Sequence, residues 1–253
     1  MTDIAAAHQH SRGRVLFLAD LHLDSARPGM LRRFESFCRR AARRGDPVYI
    51  LGDLFEAWIG DDDDDPLARS VTAMLAALTD AGTPTWFMAG NRDFLVGERF
   101  LAATGAGWLE DPTLVDLFGA RTLLCHGDTL CTDDHAYQRF RAEVRTAAWQ
   151  SAFLDRPLAE RRRVAADLRA NSREAMASKD GGSMDVNAEA VEAAVRAAGA
   201  DRLIHGHTHR PGRHEHVVDG RPVERWVLAD WYEAPGVLVA DPDGLSPCAP
   251  EAI

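Results

Sequence analysis

The chain has 253 residues, 46% hydrophobic and 27% charged, which suits one sizeable globular domain with an insertion. Its net charge of −10 argues against broad nucleic-acid binding, which needs a basic face to neutralise phosphates. Four cysteines, at 38, 125, 131 and 248, form neither a zinc-type pair nor a secreted disulfide framework, so a reducing cytoplasm is the expected compartment.

Residues 1–13 contain no apolar run long enough for a signal peptide and are expected to form a disordered tail ahead of one domain over 14–253. No apolar stretch approaches bilayer length, so membrane contact is expected to be peripheral. The unbroken apolar run 15–19 reads as a buried strand ending at Asp20. A helix is predicted over 31–44, with Phe34, Phe37 and Cys38 on one face and arginines on the other. Strand 48–51 ends at Gly52-Asp53, and Pro66 opens a helix in which Leu67, Val71, Met74, Leu75 and Leu78 recur at helical spacing. Strand 85–89 ends at Gly90-Asn91, strand 122–125 at His126, and strand 202–204 leads into His205-Gly-His207-Thr-His209. Strands 225–229 and 237–240 close the pattern, and the alternation predicts an α/β layered fold.

The segment about 135–184 is helical in pattern and lies between two of these strand ends. From Arg139 to Lys179 it carries ten basic residues (nine Arg, one Lys) against five acidic ones, a local +5 in an acidic chain. A solvated helical hairpin would show the same pattern. Its position beside strand ends that carry polar ligands favours a substrate lid.

Five ligand islands stand out: Asp20-Leu-His22, Gly52-Asp53, Gly90-Asn91-Arg92-Asp93, His126-Gly-Asp128 and Gly206-His207-Thr-His209. Singly, an Asp-x-His or a Gly-Asp is common in surface loops and turns. Together, each after a predicted strand, they converge on one rim of an open sheet. Aspartate, histidine and an amide without cysteine suit divalent ions such as Mn²⁺, and paired ions suit phosphate-ester hydrolysis. Extended geometry would point Asp20 and His22 the same way, so that both chelate one metal with His209. Asp53 can bridge to a second site completed by Asn91, His126 and His207, the neutral Asn91 limiting the negative charge.

These islands resemble the pattern of the calcineurin-like metallophosphoesterases. The longer strings 52–61, 90–95, 126–134 and 203–211 are similar to the family that splits the diphosphate of UDP-2,3-diacylglucosamine in lipid A synthesis, a similarity that runs over about residues 14–240. The resemblance implies a four-layer α/β/β/α sandwich with a helical lid and two Mn²⁺ ions. One ion would be held by Asp20, His22, Asp53 and His209, the other by Asp53, Asn91, His126 and His207. It implies that Asp53, Asn91, Arg92 and His126 serve catalysis. Asn91, Arg92, Asp134, Ser172, Met176, Lys179 and His207 would face substrate, although the family position matching Met176 is often Asn. Water activated by the metals would attack the α-phosphorus of the UDP-linked diacylated glucosamine lipid, releasing UMP. Such a substrate places the chain peripherally on the cytoplasmic face of the inner membrane. Nothing calls for an obligate protein partner.

Lys179 is the single lysine beside 28 arginines, which suggests a position that wants a compact ammonium. The remaining candidates have blander readings. The run Asp61–Asp65 is expected to be a solvated loop and helix start. Cys125 and Cys131 are expected to be small buried residues, Trp58, Trp86 and Trp108 core residues, His214 and His216 surface residues, and His205 either structural or a support behind the ligands. A phosphodiesterase or phosphatase of soluble nucleotides is the alternative enzyme. A non-catalytic scaffold would be expected to have lost ligands that are all present here.

Overall fold

Several strands of this chain are apolar at every position because they are buried on both faces. The computed structural model describes residues 5, 8–178, 185–232 and 236–253. In chain order the elements are β1 Gln9–His10, β2 Val15–Leu18, α1 Pro28–Arg44, β3 Val48–Leu51, α2 Pro66–Asp80, β4 Thr85–Met88, α3 Glu98–Thr104, β5 Gly107–Trp108, β6 Thr113–Leu117, β7 Ala120–Cys125, α4 His135–Val144, α5 Ala147–Leu154, α6 Leu158–Ser178, α7 Ala188–Ala198, β8 Arg202–His205, β9 Gly212–Val218, β10 Arg221–Val227, β11 Val237–Asp241 and β12 Gly244–Cys248. They form two six-stranded sheets, ordered β12-β11-β2-β3-β4-β5 and β1-β6-β7-β8-β10-β9.

Strand periodicity sorts the core into three layers. In β2 and β3, Leu16, Leu18, Val48 and Ile50 face outward onto Phe34 and Phe37 of α1 and Val71 and Leu75 of α2. The alternate residues, Val15, Phe17, Tyr49 and Leu51, face inward and meet Val115, Leu124 and Ile204 of the other sheet. On that sheet's outer face Leu123 and Leu203 pack on Val191 and Val195 of α7. The result is the four-layer α/β/β/α sandwich. β2, β3 and β4 run parallel, so their C-terminal ends open on one rim. β7 and β8 are likewise parallel in the second sheet.

Helix ends follow local chemistry. Pro28 opens α1 and a left-handed Gly45 closes it. The Asp65 carboxylate caps α2 by accepting from the Leu67 amide. Between β7 and α7 the chain runs through α4, α5 and α6. Phe153, Trp149, Leu158 and Val164 of these helices pack against the α1–α2 side of the core.

Three expectations need correction. Gln9 and His10, placed in the tail, pair with Asp116 and Leu117 of β6. His8 and His10 both hydrogen-bond the Tyr49 hydroxyl, which gives this segment a fixed partner. Trp108 is 41% exposed because β5 is an edge strand. The aspartate run is not merely solvated. Asp61 accepts from Trp58 Nε1 and from the amides of Gly97 and Phe100, while Asp62 grips Arg161 of α6.

Candidate metal centre

The loops after β2, β3, β4, β7 and β8 bring all seven predicted ligands to one rim, the first three from one sheet and the last two from the other. Asp20, His22 and His209 form one group, and Asp20, Asp53 and His126 another, with ligand atoms within 4.8 Å of one another in each. Asp53 lies between, its Oδ2 3.7 Å from His22 Nε2 and its Oδ1 3.7 Å from His126 Nε2. Asn91 Oδ1 is 3.0 Å from His126 Nε2 and 2.9 Å from His207 Nδ1.

The backbone that presents these groups is not extended. Asp20, His22, Asp53, His207 and His209 have φ of 56°, 45°, 53°, 68° and 52°, which makes five of the seven non-glycine residues with positive φ among the described residues. Such conformations are uncommon for side-chain-bearing residues and concentrate at functional sites. The extended geometry expected for Asp20 and His22 is therefore wrong, although both side chains do reach one group. Two glycines allow the crowding: a Cβ on Gly90 would meet Asp53 Oδ1 at 2.1 Å, and one on Gly206 would meet Asp20 Oδ2 at 2.4 Å.

The hydrogen bonds determine where the imidazole protons lie. His126 Nδ1 donates to the Leu51 carbonyl at 2.9 Å, so in the neutral ring the Nε2 lone pair points at the Asn91 oxygen. His22 Nδ1 faces the Glu56 carboxylate at 3.4 Å and His209 Nδ1 faces Asp230 at 3.4 Å, ion-pair contacts that stop short of a hydrogen bond and leave His22 Nδ1 without one. With protons on those nitrogens, the two Nε2 lone pairs confront each other at 3.1 Å, beside an Asp20 Oδ1 that is buried without a hydrogen-bond partner. Lone pairs converging on lone pairs, with a buried carboxylate oxygen left unpaired, form an arrangement that a divalent cation satisfies. The oxygen and nitrogen donor set fits such an ion.

The charges are strongly coupled. Burial opposes ionisation of Asp20, yet His209, His126 and His22 hold its carboxyl below the usual carboxylate range. Burial would lower His126, but Asp53, Asp128 and Asp20 raise it to about 9. His207 is lowered to about 4 by burial and the neighbouring His126. His205 is fully buried, its Nδ1 donating to the Gly206 carbonyl and its Nε2 accepting from Arg225 at 3.1 Å. This is the expected structural role.

A cavity of about 560 Å³ joins this rim to the insertion. Its polar lining includes His22, Asp53, Asn91, Arg92, Asp134, His207 and His209. Its apolar lining includes Trp58, Ile59, Phe94, Leu95, Phe140, Val144, Trp149, Phe153 and Leu168. Ser172 and Met176 fall on the last turns of α6, where side chains lie outside the described set, and Lys179 lies outside the described residues.

Three residues that the sequence reading left aside support the site. Asp93 is buried, accepts from the amides of Gly90, Asp53 and Leu54, and is raised to about 6 by burial and by Asp53. Asp128 receives the Tyr137 hydroxyl at 2.6 Å and Arg141 Nε at 2.8 Å, which ties α4 to the His126 loop. Arg145 Nη2 donates to the Gly90 carbonyl at 2.9 Å. Asp93 and Asp128 stood inside quoted islands, so their position was the available signal.

Residues 13–211 match the calcineurin-like phosphoesterase family, and the chain belongs to that family. Its relatives are more particular. A protein of Aromatoleum aromaticum named UDP-2,3-diacylglucosamine hydrolase is 55% identical over 218 residues, covering 86% of this chain and 89% of its own. Proteins of the same name from Xanthomonas oryzae pv. oryzae and Escherichia coli are each 50% identical. They cover 91% and 86% of this chain and 96% and 90% of their own.

Proposed function

We propose that this chain hydrolyses the diphosphate of UDP-2,3-diacylglucosamine in lipid A biosynthesis, giving 2,3-diacylglucosamine 1-phosphate and UMP. The observation that carries this beyond phosphoesterase chemistry is the cavity, whose wall combines metal-type ligands with a large set of aromatic and aliphatic side chains. A soluble nucleotide would use the first and leave the second unused. Relatives of that name at about half identity over most of the chain support the same reading.

In this reading the donors suit two Mn²⁺ ions, with Asp20, His22, Asp53 and His209 to hold one and Asp53, Asn91, His126 and His207 the other. Bound, the ions would supply Lewis-acid polarisation of the phosphoryl oxygens and an activated water. Arg92 lines the cavity, and its buried Nε has no hydrogen-bond partner, as befits a group that awaits a phosphate oxygen. Asn91, Asp134 and His207 would position the diphosphate and sugar, together with Ser172, Met176 and Lys179 on or after α6. The helices α4–α6 would cover the acyl chains as a lid. Among the described residues no helix is long and apolar enough to cross a membrane. The local excess of arginine in 139–179 would instead dock the chain peripherally on anionic lipid at the cytoplasmic face of the inner membrane.

The test is a chelator-stripped assay on UDP-2,3-diacylglucosamine, with Mn²⁺, Mg²⁺ or Zn²⁺ added back and UMP followed. Mn²⁺-restored UMP release is expected. Restored cleavage of bis(p-nitrophenyl) phosphate without cleavage of the lipid would keep the metal chemistry and remove the substrate.

A further inference from the structure

The two groups of ligands differ in what stands behind their histidines. His22 and His209 each turn Nδ1 to a carboxylate, Glu56 and Asp230, at 3.4 Å. His126 turns Nδ1 to the neutral carbonyl of Leu51. Asp128, whose charge acts on both His126 and His207, is engaged through Oδ2 by Arg141 and the Tyr137 hydroxyl, and its Oδ1 is buried without a hydrogen-bond partner. Glu56 has a looser cation partner, Arg27 Nη2 at 3.6 Å, and lies within the field of Arg92 and Arg169. The Arg27 guanidinium also donates to the His22 carbonyl and covers the Tyr232 ring at 4.5 Å, linking the Glu56 loop to the segment that carries Asp230.

A carboxylate that accepts the distal N–H of a ligand histidine fixes the tautomer and raises the basicity of the nitrogen that faces the metal. It also adds negative charge close to the cation. A peptide carbonyl fixes the tautomer but adds only a dipole. We propose that Glu56 and Asp230 rank the two ion positions. The position bounded by Asp20, His22 and His209 then fills first and more tightly than the one bounded by Asn91, His126 and His207. This rests on the two-ion reading above. Glu56 and Asp230 are positioning residues, acting through His22 and His209. The second position, lacking such support, is the one left to exchange.

Metal-stripped protein is titrated with Mn²⁺ alone, free ion being followed by its electron paramagnetic resonance signal. Two steps are expected, the first tighter. Glu56→Gln and Asp230→Asn are each expected to weaken the first step about 10- to 100-fold and to spare the second. Asn91→Ala is expected to do the reverse. The two carboxylate variants act on separate histidines, so misfolding of one leaves the other to decide. A first step unmoved by a folded variant, or a loss confined to the second step, overturns the ranking and leaves the two-ion centre standing. Saturation of the wild type at one ion removes the two-ion reading, and the ranking with it.

Discussion

Arg161 of α6 is almost wholly buried and reaches across to the loop before α2, its Nη1 2.7 Å from Asp62 Oδ1 and 2.7 Å from the Ile59 carbonyl. The contact joins the insertion to the stretch that holds Trp58 and Ile59 on the cavity wall. Arg161→Ala strips partners from both acceptors and is expected to cost about 1–3 kcal/mol, or a few degrees of Tm. KM for the lipid should rise more than kcat falls. Differential scanning fluorimetry with steady-state kinetics checks this, and an unchanged Tm would show that the contact holds nothing.

Gly206 passes so close to Asp20 that a methyl group has no room. Gly206→Ala must push away an Asp20 carboxylate that also accepts the His207 amide at 2.8 Å. An ångström of displacement among reacting groups costs on the order of 100-fold in rate. A loss of that size is expected in UMP release, with the far-ultraviolet circular dichroism unchanged. A variant of wild-type rate would mean that Asp20 is not where the chemistry needs it.

Asp53 turns one carboxylate oxygen to His22 and the other to His126. Asp53→Ala is expected to abolish turnover and to reduce Mn²⁺ uptake measured by equilibrium dialysis. Near-normal activity in that variant would overturn a mechanism built on two ions.

The acidic side of the stability profile should carry the mark of His205. Burial and the Arg225 charge lower its pKa from 6.5 to about 3, so the folded ring stays neutral where the unfolded one takes up a proton. The contribution is therefore complete above pH 6.5 and is lost as pH falls from there towards 3. Between pH 7 and pH 5 the loss is about 2 kcal/mol. Urea unfolding of metal-stripped protein at those two pH values measures it. His205→Gln should make the fall shallower by about that amount, leaving the share of His207, which burial lowers in the same sense, and an equally steep fall in that variant would assign the effect elsewhere.

Trp149 stacks on Phe153 with ring centroids 5.0 Å apart and lies 6.1 Å from Phe94 in the apolar lining of the cavity. Trp149→Ala is expected to raise KM for long-chain lipid about tenfold, the scale of 1–3 kcal/mol lost from an apolar pocket. Hydrolysis of bis(p-nitrophenyl) phosphate should stay constant. Equal losses on both substrates would show that the apolar lining does not hold the acyl chains.

The rim was legible because strand, turn and ligand type coincide in a short string, as in 15–22 or 202–209. The left-handed backbone at Asp20 and His22 was not, since Asp and His adopt positive φ more often than most residues yet still only in a small minority of cases. Arg161 reads in sequence like its exposed neighbours in an arginine triplet, and only the fold brings Asp62, 99 residues away, to bury it. Asp61 was hidden in the same way, because its partners at Gly97 and Phe100 belong to another helix. Trp108 misled because an aromatic residue at a sheet edge has the same letter as one in the core.

The rim takes Asp20, His22, Asp53 and Asn91 from one sheet and His126, His207 and His209 from the other. Across that seam the sheets otherwise meet through apolar side chains such as Phe17 and Ile204 and a few polar links, among them His10 to the Tyr49 hydroxyl and His126 Nδ1 to the Leu51 carbonyl. A cation seated there works as a clasp between two halves of the molecule. Chelation would then do more than stop turnover: it would loosen the sandwich at its open edge and make survival against proteases depend on the cell's supply of metal.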